Sequence, residues 1–209
     1  MPRTDRTPRR RLDPQKRREL ILDAATAAFC SQPYGRVSIS MIASQADASE
    51  ALLYRYYPSK ADLYAVIVTN AVDELIDRMR TAADEGSRQT QRDRVRATVE
   101  AYLDYLNSPA GRLLLADNDP MERWEVREEL RTHILDSLAE IARFDSRDRI
   151  ALIGYLGFIE TLGRYWARED YSLEKRPYIV EASLGALFGS IVDLAKVAPV
   201  RLNKFGRPL

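Results

Sequence analysis

Apolar positions recur along this chain at helical spacing, and no stretch alternates as a strand does. Leu20, Ile21, Ala24, Ala25, Ala28 and Phe29 make one stripe that runs up to Ser31. Asp13-Pro14 opens that helix, an N-cap acid followed by a proline whose fixed φ suits the first helical position. Pro33 and Gly35 close it. Three serines then punctuate the chain. Ser38 is placed to cap Ile39–Gln45 and Ser49 to cap Glu50–Tyr56, while Ser59 with Asp62 three residues on resembles a capping box. The last of these starts a long fourth helix over 60–80, about 30 Å at 1.5 Å per residue. Only Ala46, Asp47 and Ala48 separate the second and third helices, which is helix-turn-helix spacing. Asp47 stands where such turns often use glycine, and aspartate tolerates the left-handed region.

Gly86-Ser87 interrupts the pattern, after which helices are predicted near 90–106, 110–117, 121–142, 146–168 and 175–197. The expected fold is all-α. A three-helix helix-turn-helix head is joined by a long fourth helix to an antiparallel helical domain.

Composition narrows the picture. Over 209 residues, 45% are hydrophobic and 30% charged, which is globular. No run of about 18 apolar residues is evident, so no segment is expected to span a bilayer. The arginine-rich start lacks the apolar core and cleavage site of a signal peptide, and the expected location is the cytoplasm. The lone Cys30, at an apolar helix end, reads as a buried structural thiol. The net charge of +1 conceals a polarity: residues 1–60 carry 11 Lys+Arg against 6 Asp+Glu, and the rest 21 against 25. A basic head on an acidic body fits a polyanionic partner, although a solubilising basic tail would give the same balance. Arg3, Arg6, Arg9, Arg10 and Arg11, with two prolines and no apolar cluster, make residues 1–12 a disordered basic arm. The domain expectation is therefore this arm, a DNA-binding head over 13–59, and a ligand-binding and dimerisation domain over 60–209.

The block GRVSISMIASQADASEALLYRYYPSKADLYAVIV at 35–68 resembles the tetracycline-repressor (TetR) family of bacterial regulators. Gly35, Ser38, the Ile42-Ala43 pair, the Ala46-x-x-Ser49 turn, Leu53-Tyr54, Tyr57, Ser59-Lys60 and Leu63 carry the resemblance. Beyond residue 68 it rests on length and helix number alone. Physical reasoning agrees. A helix entering the major groove buries one face, here Leu53 and Tyr57 against Ile42 and Phe29, and shows the other to bases. Glu50, Ala51 and Leu52 lie at the start of that helix, where base edges are met. An acid at Glu50 repels phosphate but can accept from a cytosine amino group, and Ala51 and Leu52 offer apolar contact to a thymine methyl. Tyr54, Arg55 and Tyr56 follow in the next turn. The resemblance implies phosphate contacts by Ser38, Tyr54, Tyr56 and Lys60, with Arg55 added for its charge; such contacts set register and affinity without reading sequence. The arm's arginines either enter the minor groove or act as a non-specific attraction.

The last two predicted helices carry Gly154, Gly157 and Gly163, then Gly185 and Gly189. Glycine costs about 1 kcal/mol in a helix interior, so several together suggest close backbone approach. The resemblance implies that these helices pair with their two-fold mates, with Gly154, Gly157, Gly185 and Gly189 at the homodimer interface. It also implies an effector cavity, for which Tyr102, Trp124, Phe158 and Trp166 are the candidates by chemistry. Aromatic residues at that spacing are equally the makings of a plain core. The chain has one histidine, His133, so no histidine-rich metal site is expected, and no cofactor. Without a phosphate loop or a nucleophile motif, no catalytic residues are expected and the chain does not read as an enzyme. The expected partners are double-stranded operator DNA, a second copy of the chain and an unidentified small-molecule effector, with no membrane. The expected function is a ligand-responsive regulator that binds a palindromic operator as a dimer, repression being the family's usual sign. A DNA-binding regulator or architectural factor with no ligand is the alternative.

Overall fold

The structure is a computed structural model that describes residues 13–85, 90–115 and 124–194, save the side chains of Trp124, Glu125 and Arg127. The arm at 1–12 and the break at Gly86-Ser87 lie outside the described residues. Within them the chain forms nine α-helices and no strand. It divides into two compact units, the first ending at Val68 and the second beginning at Thr69.

In the first unit, α1 (Pro14–Ser31) buries Ile21, Ala24, Ala25, Ala28 and Phe29, the stripe that the spacing predicts. Asp13 occupies the N-cap, but its carboxylate makes no capping bond; only its carbonyl serves, accepting from Arg17 N at 3.0 Å. Two seven-residue helices follow, α2 (Ile39–Gln45) and α3 (Glu50–Tyr56), each too short to persist alone in water. Their ends are fixed by the serines: Ser38 Oγ accepts from Met41 N at 3.1 Å and Ser49 Oγ from Leu52 N at 3.2 Å. Asp47 adopts φ 46°, the left-handed turn expected of it. Phe29, Ile42, Leu53, Tyr57 and Leu63 are all buried. The fourth helix, α4 (Lys60–Asp84), starts on the reciprocal Ser59–Asp62 pair at 2.7 and 3.1 Å and passes into the second unit.

The second unit packs the rest of α4 with α5 (Gln91–Leu106), α6 (Pro109–Leu114), α7 (Trp124–Ala142), α8 (Arg149–Arg168) and α9 (Arg176–Leu194). A Thr90–Asp93 capping box starts α5. One turn later Arg94 donates to Ala83 O, Ile141 O and Asp84 Oδ1 at 2.8–2.9 Å, satisfying carbonyls at the ends of both α4 and α7. The helix expected from 146 instead begins at Arg149. Asp145 accepts from Arg147 N and donates its own N–H to Asp148, tightening 146–148 into a 3-10 turn.

Candidate nucleic-acid interface and the outer faces of the second unit

Leu53 and Tyr57 turn α3 inward, leaving 1% and 3% of their surface exposed. The opposite face presents Glu50, Ala51, Tyr54 and Arg55 to solvent, with Leu52 half-buried between them. α3 is held against α1 at two points: Arg18 Nε donates to Tyr57 Oη at 3.2 Å, and Tyr56 Oη donates to Pro14 O at 3.5 Å. Tyr56 is thus half-buried and partly engaged, whereas Tyr54 stands 49% exposed. Ser38 is exposed at the start of α2, and its hydroxyl lies 2.9 Å from that of Ser40, a polar neighbour the sequence reading did not single out.

Lys60, expected to contact phosphate, is half-buried and has partners within the chain. Its Nζ donates to Tyr34 O and Val37 O, both at 3.0 Å, and lies 4.1 Å from the centre of the Tyr34 ring. That ring stacks on Phe29 and meets Tyr64 edge-on at 5.1 Å, while Phe29 meets Tyr64 at 5.0 Å. The ammonium therefore ties the start of α4 to the 34–37 turn through carbonyls and an aromatic face. Tyr34 and Tyr64 were missed in the sequence because neither belongs to a helical stripe shared with Phe29.

In the second unit the four interface glycines share one property. A Cβ added at Gly154, Gly157, Gly185 or Gly189 would meet nothing within 4 Å in this chain. Close approach inside the monomer is therefore not what these glycines serve. They lie on outer faces of α8 and α9 that also carry exposed Ile150, Ile153, Phe158, Tyr178 and Val192. A groove of about 600 Å³ runs between the two helices, lined by Ile150, Gly154, Tyr155, Phe158, Ala186 and Leu194 among others. α9 is long and apolar enough, by length and composition, to cross a membrane, contrary to the expectation that no segment is. Only 28% of that stretch is buried in the monomer. Gly163 differs from the other four, since a Cβ there would sit 2.6 Å from Tyr102 Oη and 2.8 Å from Leu106 Cδ1.

The three effector candidates whose side chains are described do not converge. Tyr102 is half-buried on α5 against Gly163, whereas Phe158 stands in the outer α8–α9 groove. Trp166 is fully buried and its indole N–H is spent on Ser172 O at 2.8 Å. The Trp124 side chain lies outside the described residues. His133 pairs with Asp73 at 3.2 Å on an exposed surface, and no cluster of metal-ligating residues occurs among the described residues.

Residues 21–67 match the model for bacterial regulatory proteins of the tetR family. The HTH-type transcriptional activator FasR of Mycolicibacterium smegmatis is 28% identical over 174 residues, covering 79% of this chain and 78% of the relative. Among solved structures, the fatty acid degradation regulator FadR from Bacillus halodurans superposes with a TM-score of 0.66 at 16% identity, over 86% of this chain and 98% of that one. FadR from Bacillus subtilis, solved in complex with stearoyl-CoA, gives 0.64 at 18% identity, over 81% and 98%.

Proposed function

This chain belongs to the TetR family of bacterial transcription regulators, and from that premise we propose that it binds a palindromic operator as a homodimer and changes its DNA affinity when a small molecule binds. The observation that carries the reading is the exposed face of α3. A helix anchored by Leu53 and Tyr57 presents Glu50, Ala51 and Leu52 at its capped N-terminus, followed by Tyr54 and Arg55. In the proposed complex those first three residues meet base edges, and Tyr54, Arg55, Ser38 and Tyr56 meet phosphates. Lys60 then acts by holding the turn before α2 in place, with any phosphate contact secondary to its two carbonyls.

The unsatisfied apolar faces of α8 and α9 support the dimer. An apolar helix stretch of which only 28% is buried calls for a covering surface. Gly154, Gly157, Gly185 and Gly189 leave room on that surface for a second backbone. A two-fold pair would offer two α3 helices to half-sites about 34–36 Å apart, or a multiple of that.

For the effector, the stearoyl-CoA bound by FadR from Bacillus subtilis suggests an acyl ester class as the first to test. α4 belongs to both units, so an effector that prefers one arrangement would shift the head population. That preference must reach about 1–3 kcal/mol to alter occupancy usefully. Repression released by effector is the primary sign. Activation is the second reading, favoured because the FasR relative is an activator by name.

Footprinting on DNA upstream of the chain's own gene tests the proposal. Two protected patches related by a dyad are expected, and they should weaken or strengthen together on adding effector. A single unpaired patch would rule out the dimeric reading.

A further inference from the structure

A helix as short as α3 does not set its own orientation; its neighbours must. α3 packs along α2, and Ser49 holds its first turn through Leu52 N. The far end is held by side chains that cross to α1. Tyr57 closes the helix there, its N–H donating to Leu53 O at 2.8 Å. Its ring is buried, and its hydroxyl accepts from Arg18 Nε at 3.2 Å, with the guanidinium carbon 5.8 Å from the ring centre. Beside it, Tyr56 Oη donates to Pro14 O at 3.5 Å. Pro14 and Arg18 are four residues apart and stand a turn from each other on one side of α1. Two adjacent residues at the end of α3 are thus tied to one side of α1, an arrangement that opposes rotation of α3 about its own axis.

Phenylalanine at position 57 would bury the same ring, so what the hydroxyl adds is the bond from Arg18. Arg18 is exposed, and an exposed arginine on a DNA-binding head ordinarily reads as a phosphate contact. Here one donor of its planar fork is committed sideways to Tyr57. Rotation matters because Tyr54 and Arg55 lie three and two residues before Tyr57, on the exposed face. Any turn of α3 that carries Tyr57 off Arg18 carries Tyr54 and Arg55 with it.

We propose that Arg18 is a positioning residue for DNA reading. Through the Tyr57 hydroxyl it fixes the rotation of α3, and so the aim of Glu50, Ala51 and Tyr54, without itself contacting phosphate. This rests on the DNA-binding reading above and adds a residue to it that does not touch DNA.

The test uses the full-length protein with Arg18→Met, Tyr57→Phe and the double variant. Two duplexes of equal length serve as probes, one from upstream of the chain's own gene and one of unrelated sequence. Each single variant should weaken binding to the first by a similar factor, roughly two- to tenfold, the range of one hydrogen bond. The double variant should bind no more weakly than either single one, because both remove the same bond. The salt slope and the binding of the unrelated duplex should stay at wild-type values, so the ratio between the two duplexes falls. A slope lowered by about one in Arg18→Met, with Tyr57→Phe binding as the wild type does, would overturn the proposal and make Arg18 a phosphate contact. Equal weakening on both duplexes would also overturn it, since Arg18 would then only support the fold. So would losses that multiply in the double variant. Absence of wild-type binding to either duplex strikes the DNA-binding reading and this proposal with it. Specific wild-type binding that Tyr57→Phe leaves intact strikes the positioning role alone.

Discussion

Replacing Gly154 and Gly189 together by alanine separates the two roles a surface glycine can have. In the single chain an added Cβ at either position meets nothing within 4 Å, so only helix propensity acts. Each substitution should then stabilise the monomer by about 0.8–1 kcal/mol, or about 2 kcal/mol for the pair. For a chain of this size that raises the melting temperature of dilute protein by roughly 4–8 °C. Across a two-fold interface the same change inserts four methyl groups where backbones are proposed to meet. Overpacking costs about 1–3 kcal/mol per site, so dimerisation should weaken by at least about 4 kcal/mol, close to a thousandfold in Kd. Sedimentation velocity over a concentration series reads the second effect, and thermal unfolding at the lowest concentration reads the first. A variant that stays dimeric with unchanged concentration dependence would refute the placement of these glycines. A variant that loses stability even as a monomer would refute the claim that nothing in the chain opposes their outer faces.

Three further outcomes follow from single contacts. Lys60→Met keeps the aliphatic stem but removes the ammonium from Tyr34 O and Val37 O, and should cost about 1–3 kcal/mol in urea unfolding. It should leave the salt slope of DNA binding nearly unchanged, while Arg55→Gln lowers that slope by about one; equal slope changes with no stability loss would return Lys60 to the phosphate backbone. Asp170, at φ 50° in the α8–α9 connection, should gain about 0.5–1 kcal/mol on replacement by glycine. Tyr171→Gly, at φ 56°, should instead lose stability because it forfeits the edge contact with Trp166 at 5.2 Å; a matching gain at both sites would deny that contact any weight. Finally, bonds from the Thr90 hydroxyl and backbone hold the Asp93 carboxyl below its ordinary range. A depressed folded value means that this contribution is present above the unfolded pKa and lost as pH falls through the folded one. Thr90→Val should flatten the acid limb of a melting-temperature profile, and an unaltered limb would show the capping box to be inert.

The head was legible because its signals are local. Ser38, Ser49 and Ser59 each cap a helix three residues on, and Asp47 takes the one backbone region the turn requires. The partners of Lys60 were hidden from the same logic. Its neighbours in sequence suggest an exposed helix start, but its partners are 23 and 26 residues away. The second unit was legible only as helices and glycine spacing. Gly163 looked like one of a set, and only packing shows that it faces Tyr102 while the others face outward. Nothing local marks Tyr155 as the tyrosine whose hydroxyl is buried without a partner among the described residues, because a missing partner belongs to the tertiary structure. The aromatic candidates Phe158 and Trp166 fell apart for a related reason. Helical spacing gives a face but does not say whether a neighbour covers it.

The most direct test of the account is the affinity of the purified protein for duplex DNA upstream of its own gene, titrated with salt and repeated with Tyr54→Ala. The account predicts tight binding that falls linearly on a log–log plot, by a slope of about −0.9 per phosphate contacted, and a variant that binds markedly more weakly. Equal binding by wild type and Tyr54→Ala, or no binding to any duplex even at low salt, would contradict the assignment of α3 as the DNA-reading face.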